Sequence, residues 1–166
     1  MFSLRKILVA TDFSDAADAA LLRALDLAEQ FGAQVTLLHV YGLPTFGYPD
    51  GAMIAQGEVA HDLVASLTNA LKNELEAHVE RSVPMAYALR LGSPADTIRD
   101  VAEELDVDMI VVGTEGRTGL AHALVGSTAE HVLRSSRRPV LVVRVSPPSS
   151  DDVPARVDSP HVAATH

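Results

Sequence analysis

The chain of 166 residues contains no cysteine, which excludes disulfides, thiolate nucleophiles and cysteine-ligated zinc. It is also poor in positive charge, with 13 Lys and Arg against 22 Asp and Glu and a formal net charge of −9. A field of that sign repels polyanions, so no nucleic-acid partner is expected. No apolar run approaches the roughly 20 residues that span a bilayer, so no membrane partner is expected either. Met1-Phe2-Ser3-Leu4-Arg5-Lys6 runs straight into a strand-like segment, far shorter than a signal h-region and without a small-residue cleavage site after it. These absences together point to a soluble, cytoplasmic protein. Catalytic signatures are missing as well. Ala10-Thr11-Asp12-Phe13-Ser14-Asp15 follows the first strand with no glycine-rich loop and no P-loop lysine. Neither a His-x-Gly-His sequence nor a Ser-His-Asp order imposes itself, and the seven scattered histidines have no ligand-like spacing. The chain reads as a binding protein rather than an enzyme, with no catalytic residue and no metal site assigned; a dimeric scaffold that binds no nucleotide and a slow ATPase are the alternative readings.

What is present is an alternation of short apolar runs with helix-like segments, in a length that suits one domain. Ile7-Leu8-Val9-Ala10, Val35 to Val40, Met85 to Leu91, Asp108 to Gly113 and Pro139 to Val143 read as five strands, several of them apolar enough for burial on both faces. Between the first two, Ser14 is an N-cap, and Ala17, Leu21, Ala24, Ala28 and Phe31 make one helical face before Gly32. Residues 42 to 57 are rich in Gly and Pro and read as a long loop. From Glu58 to Arg81 the positions Ala60, Val64, Leu67, Leu71, Leu75 and Val79 give a long amphipathic helix. Ser93-Pro94-Ala95-Asp96 starts a further helix with a cap, a proline at N1 and an acid at N3; Ile98, Val101, Ala102 and Leu105 are its buried face. Ser127 to Ser136 is the last helix. Such a βαβαβαβαβ order predicts an α/β fold, a five-stranded parallel sheet covered by helices on both faces. The domain is placed at residues 1–145, and residues 146–166, which lack a periodic apolar face, read as a disordered tail.

In open parallel sheets, ligands bind beyond the carboxyl ends of the strands where strand order reverses. That rule directs attention to Thr11 and Asp12 after the first strand, to Val40 at the end of the second, and to Gly113-Thr114-Glu115-Gly116 after the fourth. Nine residues later comes Gly126-Ser127-Thr128, at the start of the last helix. Glycines let backbone N–H groups approach phosphate oxygens, and a helix N-terminus adds partial positive charge, so a net negative chain can still hold a small nucleotide. Each of these residues also has a plainer reading. The glycines serve to turn the chain, Ser127 with Glu130 forms a capping box, Asp12 belongs to the helix start, and Arg117 is a solvated loop residue.

The run Val111-Val112-Gly113-Thr114-Glu115-Gly116, its nine-residue spacer, Gly126-Ser127-Thr128-Ala129-Glu130-His131-Val132-Leu133 and Arg138-Pro139-Val140-Leu141-Val142-Val143 resemble the universal stress protein family. Ile7-Leu8-Val9-Ala10-Thr11-Asp12-Phe13-Ser14 and Gly92-Ser93-Pro94 extend the resemblance over residues 4 to 145. The spaced glycines look like the ATP-binding branch. The resemblance implies a three-layer sandwich with strand order 3-2-1-4-5 and ATP, with AMP or ADP and Mg2+ as variants, as ligand. It implies contacts to adenine from Asp12, next to Thr11, and from the Val40 backbone, and to the ribose from Gly113, next to Thr114. Gly116, Gly126, Ser127 and Thr128 would surround the phosphates, with Arg117 in the same loop. It further implies a stress-response regulator that is a homodimer through Val140, Leu141, Val142 and Val143; an uncharged apolar edge strand agrees with that. Glu115 departs from the basic or polar residue usual at its place, with Arg117 and His122 nearby to compensate.

Overall fold

The computed structural model describes residues 3–42, 45–48, 51–54, 58–114 and 126–145. Within them the chain runs β1 (Lys6–Ala10), α1 (Asp15–Phe31), β2 (Gln34–Tyr41), β3 (Thr45–Tyr48), β4 (Gly51–Ile54), α2 (Glu58–Glu76), β5 (Met85–Leu91), α3 (Pro94–Glu104), β6 (Met109–Gly113), α4 (Ser127–Ser135) and β7 (Val140–Val143). Five strands form a parallel sheet in the order β5-β2-β1-β6-β7. Counted along the parallel strands alone, this is the expected order 3-2-1-4-5.

Alternation along each strand sends side chains to two separate cores. Ile7, Val9, Val35, Leu37 and Val111 pack with Leu21, Ala24 and Leu25 of α1 and Leu71 of α2. Leu8, Leu38, Ile110 and Val112 pack with Ile98, Val101 and Ala102 of α3 and Ala129 and Val132 of α4. The result is three layers, with α1 and α2 on one face and α3 and α4 on the other. Each fully buried Leu, Ile or Val contributes about 1.5–3 kcal/mol, so the two cores supply most of the folding drive.

Four local expectations are corrected. Residues 42–57 are not all loop: β3 and β4 pair antiparallel there, with Tyr48 opposite Gly51. The two-residue spacing at Pro49-Asp50, followed by Gly51, is a hairpin signal that the Gly/Pro content of the stretch concealed. The long helix ends at Glu76 rather than Arg81, and Val79 is 71 % exposed. His78 and Val79 instead donate to Leu75 and Glu76 in tight turns. Val83, held out of helical backbone by the following Pro84, is the buried apolar residue there. Phe31 is also exposed, because Gly32 caps α1 in the left-handed conformation and Ala33 takes the inward position. Finally, α4 begins at Ser127 with Gly126 as its N-cap and no side-chain cap bond, so Ser127 and Glu130 form no capping box. The glycine-loop residues Glu115, Gly116, Arg117 and His122, and the tail, lie outside the described residues.

The amino end of the sheet is tied by Asp108, whose Oδ2 accepts from the backbone N–H groups of Arg5 (2.8 Å) and Lys6 (2.9 Å). The Arg5 N–H, with a smaller contribution from that of Lys6, holds this carboxyl below its ordinary pKa against the opposing effect of burial. A carboxyl lowered in this way stabilises the folded chain above its unfolded value near 3.9, and that gain is lost as pH falls through the folded value. Asp108→Ala is expected to cost about 1–2 kcal/mol at pH 7. Urea unfolding at several pH values should show the difference from the parent shrinking below about pH 4.

Candidate functional site

At the carboxyl ends of β1, β2 and β6 the sheet opens into a cavity of about 340 Å3, within the size range of small-molecule sites. It lies on the α3/α4 side, where strand order reverses between β1 and β6. Ala10, Leu38, Val40 and Val112 line it from the sheet, Pro94 and Ile98 from α3, and Gly126 to Ala129 from α4. Thr11, Asp12, Ala17, Gly113 and Thr114 complete the lining. Of the ten residues singled out from sequence, the structure thus brings together Thr11, Asp12, Val40, Gly113, Thr114, Gly126, Ser127 and Thr128. Gly116 and Arg117 are outside the described residues.

Each wall has a different chemistry, traceable to sequence. Both α3 and α4 point their N-termini at the cavity, but α3 begins with Pro94, which has no N–H, and carries Asp96 in its first turn. Its contribution is an apolar surface of Pro94 and Ile98. In α4 the first intrahelical bond runs from the Glu130 N–H to the Gly126 carbonyl. The N–H groups of Ser127, Thr128 and Ala129 precede it and form the open, partially positive end of the helix. Gly126 has no donor left for a ligand, because its own N–H is bonded to the Thr114 carbonyl at 2.6 Å.

Thr114 is 4 % exposed, and among the described residues its Oγ1 has no hydrogen-bond partner. A buried hydroxyl left unpaired is costly. Thr114 is also one of the residues that line the cavity. Across the cavity stands Asp12, whose Oδ1 accepts from the Ser14 N–H (3.2 Å) and hydroxyl (2.5 Å). Ser14 in turn accepts from the Ala17 N–H at 3.3 Å and caps α1. Asp12 therefore belongs both to the helix start and to the cavity wall; its two sequence readings are not exclusive.

Gly113 has a structural reason of its own. A Cβ there would stand 2.6 Å from the carbonyl oxygen and 2.7 Å from the carbonyl carbon of Ala16, backbone atoms of α1. Only glycine lets α1 come this close to the end of β6. Sequence reading missed the apolar lining, Ala10, Leu38, Val112, Pro94, Ile98 and Ala129. The two-residue alternation held the signal for the strand residues, but which face carried the cavity depends on where α3 and α4 cross.

Comparison with known proteins follows the same outline. The model of the universal stress protein family matches residues 3–144. Universal stress protein MJ0531 of Methanocaldococcus jannaschii is 34 % identical over 146 residues, covering 84 % of this chain and 82 % of its own. Universal stress protein MJ0577 of the same organism is 31 % identical over 153 residues, covering 84 % of this chain and 94 % of its own. Among solved structures, the universal stress protein UspA from Lactobacillus plantarum superposes with a TM-score of 0.72 at 28 % identity, over 86 % of this chain and 99 % of that one. With the fold, the strand order and these relatives in agreement, the chain belongs to the universal stress protein family.

Proposed function

We propose that this chain is a stress-response regulatory protein of the cytoplasm that binds an adenine nucleotide, ATP above AMP or ADP, and acts as a homodimer without being an enzyme. The observation that carries the binding reading is the buried Oγ1 of Thr114, without a hydrogen-bond partner among the described residues, in a cavity wall that also holds the first turn of α4. A nucleoside flanked by phosphates meets both needs: a sugar hydroxyl for Thr114 and anionic oxygens for the Ser127, Thr128 and Ala129 N–H groups. The apolar surface of Val40, Pro94 and Ile98 suits a base, and Asp12 offers a carboxylate to its amino or ring nitrogen donors. Gly116 and Arg117 join the phosphate side in this reading.

Among the described residues that line the cavity, Asp12 is the only titratable side chain, so these residues supply no acid and base pair for hydrolysis. Among the described residues, no three His, Cys, Asp or Glu side chains are grouped to hold a metal ion. Magnesium then accompanies the nucleotide on its phosphates, as this ion usually does. The ligand-free scaffold is the second reading, and one observation favours it: packing against Ala16 explains Gly113 with no nucleotide at all.

Calorimetry on nucleotide-stripped protein separates the two readings. Binding of ATP at micromolar concentration is expected, and none at high micromolar concentration leaves the scaffold. Thr114→Val sharpens this. Replacing the unpaired hydroxyl by a methyl should leave the ligand-free protein as stable or up to about 1–2 kcal/mol more stable, while weakening ATP about tenfold. Weaker binding together with a less stable protein would instead indicate a general packing defect.

The dimer is proposed through β7, an edge of the sheet. The Pro139 and Val143 carbonyls accept from Ile110 and Thr114 and so face β6. By alternation the backbone groups of Val140 and Val142 face the open edge. Val142→Pro removes an outward N–H without touching the β6 ladder. It should shift the protein from dimer to monomer by light scattering while its circular dichroism stays that of the parent.

A further inference from the structure

His39 stands on β2 between Leu38 and Val40, which line the cavity, yet its own side chain does not. It follows Val35 and Leu37 in the alternation and therefore lies on the α1 side of the sheet. From there Nδ1 is 2.7 Å from the carbonyl oxygen of Thr11. A carbonyl oxygen can only accept, so Nδ1 carries the proton. The Thr11 N–H donates to the Leu38 carbonyl at 2.9 Å, and Thr11 is thus gripped at both backbone groups by consecutive residues of β2.

Two residues on, Phe13 has φ of 61°, left-handed backbone that an aromatic L-residue adopts only when its surroundings enforce it. Those surroundings are visible. The Phe13 ring packs on the His39 imidazole with centroids 4.6 Å apart and planes at 39°, and its N–H donates to Thr11 Oγ1 at 3.0 Å. Between the gripped Thr11 and the strained Phe13 lies Asp12, on the cavity wall.

We propose that His39 is a positioning residue of the binding site: by its Nδ1–H bond to Thr11 and its contact with Phe13 it enforces the turn that presents Asp12 to the nucleotide. The affinity effect rests on the adenine-nucleotide reading above; the hold on the turn does not. Packing alone would tolerate any side chain of similar size at this position. A positioning role needs a donor at the place of Nδ1.

Asparagine puts an amide N–H near the place of Nδ1, whereas glutamine puts it near that of Nε2. Two readouts decide between the roles: hydrogen exchange at the Phe13 and Ser14 amides of ligand-free protein, and the affinity for ATP by calorimetry. His39→Gln is expected to speed exchange at those amides, and to weaken ATP, by roughly tenfold each. His39→Asn should stay within about threefold of the parent in both. The Leu8 and Ile110 amides report whether each variant remains folded and should keep their protection. Equal behaviour of the two variants, unchanged exchange at the turn, or faster exchange with unchanged ATP affinity overturns the proposal. If the parent itself binds no ATP, the nucleotide reading falls and takes the affinity effect with it. Exchange at Phe13 and Ser14 then still upholds or overturns the hold of His39 on the turn.

Discussion

Strand β1 is bonded in parallel to β2 on one side and to β6 on the other, and the rest of the structure depends on that double pairing. With both edges taken, its side chains have only the two faces of the sheet to occupy. Ile7 and Val9 therefore enter one core and Leu8 the other. The chain leaves β1 and β2 toward one face and β5 and β6 toward the other. Beyond the end of β1 neither pair of helices fills the space, and that unfilled space is the cavity.

Around the opening, similar local sequences have acquired different duties. Two helices present N-termini, but the proline that starts α3 makes it an apolar wall, while in α4 the N–H groups of Ser127, Thr128 and Ala129 precede the first intrahelical bond. Two glycines of the spaced series also differ. Gly113 is demanded by the Ala16 backbone, and Gly126 is a helix cap whose N–H is committed to Thr114. A glycine pattern that reads as one phosphate motif thus divides here into a packing contact and a cap. Among the described residues, the buried side-chain polar atom without a partner belongs to the threonine between them, Thr114.

The legibility of the chain followed the range of the forces involved. Ile7 to Ala10 and the capped start of α1 were readable because burial on both faces and capping are written in adjacent residues. Val79 and Phe31 continued a correct helical period, but tertiary anchors at Val83 and Ala33 displaced them from the core. The β3–β4 hairpin was missed because proline and glycine signal a turn without saying whether its flanks pair. At the site, Asp12 and Thr114 could be placed by the rule of strand ends. Pro94 and Ile98 could not, since they reach the cavity from α3, whose position over the sheet is set by tertiary packing.

By itself, then, the sequence determined the alternation of strand and helix, the parallel sheet, and the residues that end its strands, all consequences of short-range periodicity and capping. Only the tertiary structure decided which face of the sheet bears the cavity. It also showed that Gly113 is held by the α1 backbone, that Ser127 is a first helical residue rather than a cap, and that His39 reaches Thr11 from the opposite side. The reason is the same in each case. Those outcomes depend on distances between segments far apart in the chain, and no local pattern of residues encodes a distance of that kind.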